Sequence, residues 1–531
     1  MNKKILSGAF WLSAGNILSR ILGILYLIPW IIMIGTTNIS SAQALFNSAY
    51  TPYALFISLG TAGFPSAIAR RVSLYNSNKQ YKDSSLLLKS GLILMGGSGF
   101  CCAIILFIIA PLIAKNSPVT SYTEAIYAIR TVTPALIIIP VMSALRGWFQ
   151  GNQDLKPFGI SQIIEQFIRV AFILVSTYVI LYVFKLNITI AVQASIFAAF
   201  LGALCGLLYL NFYLFKHYKL DFSYVLTKSE LFKTLKLIKV TFYESIPFLL
   251  VGSGITLSQL IDQIYFKQIM HNFLGFSLVK IQYIYTLFSA NPNKITTVVI
   301  ALAMAISETS LPLLAAESKN KVKVKLLLSQ NITYIFMFLL PIVIILECLA
   351  YEINLVFYSK SSLGSFFLQL NLLQALIMAI SIDFLTLLQA LRYSKKATIY
   401  IITGLGLKLL LQFPLVYFFQ GQGAILATDF AFCYICLISY RKLSLTFGIK
   451  IRSQYLIIFI NIGYSILCFL FCNLCSKIFL PSTKISAFLY VVVISLLLLI
   501  IYLVLLDLFD VTYKQLGRYL IFKKYLPRHS K

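Results

Sequence analysis

A few charged side chains interrupt stretches that are otherwise apolar, and they are where chemistry would occur: Arg20, Glu165, Arg169, Glu244, Asp262, Lys294, Glu308, Asp383, Lys408 and Asp429. A charge in an apolar span is costly, so it marks either a site or a matched pair. Arg20 stands about halfway along the first apolar stretch. A guanidinium there could grip a phosphate through its fork of N–H donors. Alternatively, it could neutralise a buried acid such as Asp262 or Glu244. Glu165 and Arg169 are four residues apart, with the acid first, which suits an ion pair on one helix face. Glu308 lies beside Ser307, Ser310 and Pro312, where it could line a polar cavity or cap a kink. Asp383 and Asp429 remain open between a coupling role and a packing role.

The acids are scattered about one per stretch, without the clustered ligands or bases of a membrane-embedded enzyme. Cys433 with Cys436, and Cys472 with Cys475, have metal-like spacing, but the chain holds only three His and none is near them. They are read as small apolar packing residues. No nucleotide-binding fingerprint is present. The residues thus point to neither an enzyme nor a cofactor or metal site.

The elements that must position these charges are membrane helices. The 531 residues are 60% hydrophobic and 11% charged, with a mean hydropathy of +0.88, and apolar runs of roughly 20 residues recur throughout. About 14 spans are expected, at 5–34, 43–69, 86–114, 124–145, 158–184, 188–215, 240–262, 284–316, 326–349, 363–388, 397–419, 421–440, 453–475 and 485–509. The eighth is interrupted by Asn291, Pro292, Asn293 and Lys294. The basic start runs into a long apolar stretch and reads as a retained first helix.

Of the 44 Lys and Arg, 31 fall in the end segments and in the alternate connections that share one side of this topology, and seven in the connections opposite. The positive-inside rule makes the richer side cytoplasmic, with both termini there. The formal net charge of +28 therefore reflects topology, and no nucleic-acid partner is needed to explain it. A basic tail at 510–531 would lie along anionic head groups.

The 24-residue basic connection 216–239 divides the chain into halves. Gln150 and Gln389 are 239 residues apart, as are Arg169 and Lys408. This is the echo that a parallel repeat of six helices would leave. The expected organisation is an N-terminal six-helix lobe at 1–215, the linker 216–239, a C-terminal six-helix lobe at 240–440, two further helices within 441–509, and the tail. Prolines within many spans, and the segment Gly60-Thr61-Ala62-Gly63-Phe64-Pro65, suit bent helices around a polar cavity.

Four stretches carry a resemblance that covers nearly the whole chain: Gly15-Asn16-Ile17-Leu18-Ser19-Arg20-Ile21-Leu22-Gly23; Gly60 to Ala69; Arg146-Gly147-Trp148-Phe149-Gln150-Gly151, with Pro157 and Ser161 to Val170; and Gln259-Leu260-Ile261-Asp262. The chain resembles the multidrug/oligosaccharidyl-lipid/polysaccharide flippase superfamily. Within it, the chain is most similar to the MurJ branch, also called the YtgP or SpoVB-like group.

That resemblance implies an all-α fold with two six-helix lobes plus two C-terminal helices. It also implies export, in a bacterial cytoplasmic membrane, of a lipid-linked cell-wall precursor, lipid II, whose diphosphate would meet Arg20. The family tends to carry an arginine in the outer part of the eighth helix. This chain has none, and Lys294 is the substitute. A lysine supplies a point charge without the bidentate fork. Glu244, Asp262, Glu308, Asp383 and Asp429 become cavity or coupling candidates. Gln150, Glu165, Arg169, Gln389 and Lys408 become structural or coupling candidates. Transport could couple to the membrane potential or to an ion gradient, cell-wall synthesis proteins are conceivable partners, and a monomer suffices. The rival readings are a flippase for another lipid-linked glycan, a cation-coupled drug exporter using the acids, and a scaffold.

Overall fold

The computed structural model describes residues 11, 15, 18–61, 64–218, 243, 246–317, 320–450 and 454–516. Glu244, most of the 216–239 linker and most of the 510–531 tail lie outside the described residues. Among those described, ten helices are long and apolar enough to cross a membrane. The first expected span is described continuously only from its middle, as α1 (Leu18–Ile34). The second is described as α2 (Ile39–Thr61) and α3 (Phe64–Ser77), with Ala62 and Gly63 between them outside the described residues. The 240–262 span is described only in part. Spans 397–419 and 421–440 fall within one 54-residue element, whose helical geometry is broken at Gln420 by a φ of 52°.

The chain forms two compact units, residues 1–286 with 401–424, and 287–400 with 425–531. The first contains α1 to α3, α4 (Tyr81–Asn116), α5 (Tyr122–Gly151), α6 (Lys156–Val183), α7 (Ile188–His217), α8 (Gly254–Gln268) and α9 (Leu278–Tyr285). Its polar spine is α2, which buries Gln43, Asn47, Ser48 and Thr51. Asn47 Nδ2 donates to the Tyr285 hydroxyl at 2.9 Å. Gln263 Nε2 donates to the Ser48 carbonyl at 2.9 Å and to Ser117 Oγ at 2.8 Å. In lipid no apolar driving force distinguishes helix from tail, so such bonds and close backbone packing hold helices together.

Two glycines show how close that packing is. A Cβ on Gly147 would lie 2.5 Å from the Pro65 carbonyl oxygen, so two of the resembling stretches meet backbone to backbone. A Cβ on Gly202 of α7 would lie 2.5 Å from the Glu165 carbonyl oxygen of α6.

The second unit contains α10 (Asn291–Ala316), α11 (Lys321–Tyr334), α12 (Leu340–Cys348), α13 (Ala350–Phe357), α14 (Ser362–Ala390), α16 (Tyr455–Ile478), α17 (Lys484–Leu508) and α18 (Val511–Leu516). Preceding α16 is the broken element, α15 (Ser394–Phe447), which contributes to both units.

The Gln150/Gln389 echo is also an echo of backbone. At the end of α5, Gln153 N donates to Gln150 O and Asp154 N to Phe149 O, with Gln153 at φ 58°. At the end of α14, Arg392 N donates to Gln389 O and Tyr393 N to Leu388 O, with Arg392 at φ 66°. Every donor and acceptor in one turn has its counterpart 239 residues away in the other. These are Schellman helix ends.

The glycine contacts give a stability test. Gly202→Ala should destabilise the purified protein by ~1–3 kcal/mol through overpacking. Gly97→Ala, where an added Cβ meets nothing within 4 Å, should be neutral or stabilising by up to about 1 kcal/mol. Thermal unfolding in detergent compares the two, and equal midpoints would contradict the packing account.

Candidate substrate and coupling sites

The first unit holds two charge networks. In one, α6 presents Glu165 and Arg169 a helical turn apart, and their side chains pair at 3.0 Å. Arg146, from the last part of α5, adds a second contact to the same carboxylate at 3.0 Å, and its Nε donates to Ser161 Oγ at 2.9 Å. One carboxylate thus serves two guanidinium groups, leaving local positive charge. The phenols of Tyr26, Tyr50 and Tyr53 lie within electrostatic range of Arg169. Counting charges by side of the membrane assigns Arg146 to topology and misses this role. Its signal is its position: it heads the Arg146–Gly151 stretch, only a few residues from α6.

In the other network, Lys408 Nζ meets Asp262 Oδ2 at 2.7 Å, and Gln412 Nε2 donates to Asp262 Oδ1 at 3.0 Å. Lys408 is fully buried. A lysine this deep is held by charge-assisted hydrogen bonding, and removing either partner would strand the other. Asp262 therefore has its counter-charge in Lys408. That partner is 146 positions away in sequence, whereas Glu244, the other acid that Arg20 could neutralise, lies outside the described residues. The 239-residue echo matches Lys408 to Arg169. The two share the property of being intramembrane cations held by an acid, Lys408 by Asp262 and Arg169 by Glu165.

Arg20 itself lies on α1 with an exposed side chain. At the other end of α1, Trp30 Nε1 donates to Ser195 Oγ at 3.0 Å, fixing the helix against α7.

In the second unit, Lys294 sits half-buried in the first turn of α10, directly after a π turn at Thr286–Ala290. A π turn rotates the next part of the helix about its axis, and such turns are frequent at functional sites. Glu308 is exposed on α10, and Asp429 is half-buried on α15. Asp383 is wholly buried on α14, within a cluster formed by α10 and α11. Gln150 is exposed, whereas Gln389 is buried. Within the first unit the structure joins Glu165 to Arg169 and Asp262 to Lys408. Asp383 meets neither Glu308 nor Asp429.

The Arg146–Gly151 stretch ends in a polar knot outside the spans. Asp154 Oδ2 accepts from the hydroxyls of Tyr213 at 3.2 Å and Tyr218 at 3.1 Å. Trp148 packs edge-on to the Tyr218 ring. Burial, and then the Asp154 carboxylate, hold the Tyr218 phenol well above its ordinary value, so it stays a donor.

Known proteins are similar to this chain in sequence and, separately, in the arrangement of helices. Residues 5–316 match the family described as polysaccharide biosynthesis protein. A Bacillus subtilis protein named lipid II flippase MurJ is 33% identical over 461 residues, covering 83% of this chain and 82% of that protein. Stage V sporulation protein B of the same organism is 28% identical over 40% of this chain and 39% of its own length. Among solved structures, a lipid II flippase MurJ in an inward closed conformation superposes with a TM-score of 0.67 at 16% identity, covering 96% of this chain and 99% of that one. An inward-facing multidrug resistance MATE transporter gives 0.62 at 12% identity, over 81% and 94%. The fold is therefore the all-α polytopic fold of these transporters. With its charges embedded in apolar helices and with a relative this similar along most of its length, the chain belongs to the polysaccharide biosynthesis protein family of the multidrug/oligosaccharidyl-lipid/polysaccharide flippase superfamily, alongside MurJ.

Proposed function

We propose that this protein carries a lipid-linked cell-envelope precursor, specifically lipid II, from the inner to the outer leaflet of a bacterial cytoplasmic membrane by alternating access. The observation that carries the reading is the 33% identity to the Bacillus subtilis lipid II flippase along four fifths of both chains. No covalent bond changes. In this proposal the chain has 14 spans in two six-helix halves plus two C-terminal helices, both termini are cytoplasmic, and a single copy suffices. The matched helix ends at Gln153 and Arg392 favour the repeated halves.

Arg20 is the proposed diphosphate contact. It is a guanidinium in an apolar helix with its side chain exposed. Lys294 is the proposed second cationic contact, without bidentate geometry. The networks around Glu165 and Asp262 are proposed to hold the helices that present Arg20. The substrate is anionic, so an inside-negative potential favours its outward movement by about 2.3 kcal/mol per charge per 100 mV.

Reconstituted vesicles with lipid II on one leaflet test the reading. Arg20→Ala should slow translocation at least about tenfold, since a hydrogen bond to a charged group contributes ~1.5–3 kcal/mol. Arg20→Lys should recover part of the rate. Full activity in Arg20→Ala at normal membrane abundance would remove Arg20 from the site. If wild-type vesicles moved a different undecaprenyl-linked glycan but not lipid II, the substrate assignment would be wrong and the polysaccharide reading preferred.

Collapsing the potential at a fixed ion gradient should slow the wild type, and an unchanged rate would sink the electrical contribution. Orientation is tested with single cysteines in a background lacking the native ones. Lys185→Cys should react with an impermeant maleimide on intact cells, and Lys79→Cys only after permeabilisation. The reverse pattern would invert the topology.

A further inference from the structure

Asp383 is an intramembrane acid that the proposed substrate site leaves unexplained. It lies on α14 with no exposed surface. Ser307 of α10 donates to its Oδ1 at 2.5 Å, and Asn331 Nδ2 of α11 donates to the same oxygen at 3.3 Å. Asn331 also donates to Ser310 Oγ at 3.0 Å. Both donors thus converge on one carboxylate oxygen. The other, Oδ2, is buried with no hydrogen-bond partner, and so is Asn331 Oδ1. Among the described residues, the Cys436 thiol on the 425–447 segment also senses Asp383. Among the described residues, no Lys, Arg or His lies within ion-pair distance of this carboxyl.

The contrast with the first unit decides the chemistry. Glu165 has two guanidinium groups and Asp262 has an ammonium. An ionised Asp383 would have two neutral donors on one oxygen and nothing on the other, in an environment that tolerates no uncompensated charge. A bound proton removes the charge and turns the bare oxygen into a donor, in a cluster that holds a spare buried acceptor. A metal cation fits less well. Two free oxygens are too few for the six to eight that hard cations take, and no group of three or more His, Cys, Asp or Glu suited to a metal occurs among the described residues.

We propose that Asp383 is a proton-binding site, occupied in the packing seen here and emptied when α10, α11 and α14 part around it. The sign comes from linkage. The packed arrangement binds the proton more tightly than an opened, hydrated one, so acid favours packing and alkali favours opening. Using that proton to drive transport rests on the flippase reading, whereas the site itself does not.

Infrared spectra of the full-length purified protein test the site without any substrate. An aspartic acid C=O band should be present at neutral pH, move on ¹³C-aspartate labelling and be lost in Asp383→Asn. If that variant does not fold, Ser307→Ala should still shift the band by removing its strongest donor. Absence of the band in the wild type, or its persistence unchanged in these variants, would overturn the proposal. Thermal stabilisation by sodium chloride but not choline chloride, lost in Asp383→Asn, would also overturn it, by assigning the site to sodium.

In vesicles the pH dependence of lipid II translocation should flatten in Asp383→Asn. Equal pH profiles would refute a role in coupling while leaving the infrared result standing. A wild type that moves no precursor at any pH would instead refute the flippase reading.

Discussion

A charge held in a membrane span must bring its compensation with it, and much of this molecule is organised by that requirement. Water cannot solvate Glu165, Asp262 or Asp383 from the lipid side, so each acid is met by side chains from neighbouring helices. Glu165 ties α5 to α6 through Arg146. Asp262 ties α8 to the segment that carries Lys408 and Gln412. Asp383 ties α14 to α10 and α11 with neutral donors only. Asn47 and Ser48 of α2 extend the same logic to uncharged groups, since an amide or carbonyl without a partner in hydrocarbon is also costly, though far less so than a charge.

These ties require precise positioning, and the glycines supply it. Gly202 brings the backbone of α7 against that of α6 beside Glu165, and Gly147 brings α5 against Pro65 one residue after Arg146. A larger residue at either place would separate helices whose polar groups need contact within about 3 Å to be satisfied. The short stretches of unusual composition therefore have a packing meaning as well as any role in binding. Their glycines, prolines and charges form one arrangement.

The legible and illegible parts of the sequence separate along physical lines. Hydropathy reveals an all-α membrane chain because the bilayer imposes a length and a polarity on each span. The Glu165–Arg169 pair is readable because helix geometry places such residues together. The break at Gln420 falls between two spans drawn from composition, at a Gln-Gly-Gln-Gly run that lacks apolar character. The pairing of Asp262 with Lys408 is not readable. The residues are 146 positions apart and no local periodicity links them. Nor is the isolation of Asp383, since the absence of a counter-charge is a property of the fold. The π turn before Lys294 has no sequence signature, so its effect on where that side chain points cannot be anticipated from composition.

The helix end at Arg392 has a counterpart after α3, where Lys79 N donates to Asn76 O and Gln80 N to Tyr75 O. Lys79 and Arg392 both adopt left-handed backbone geometry, with φ of 59° and 66°, at positions where glycine is the usual occupant. A basic side chain there sits close to the negative end of the helix dipole, and it also belongs to the charge excess from which the orientation is read. In the proposed topology, termination of a helix and retention of its end on the cytoplasmic side would fall to the same residue. An exchange of either for glycine would then relax the backbone while erasing a topological mark, so the two demands could not drift apart independently, and a strained basic turn would be the compromise on which they meet.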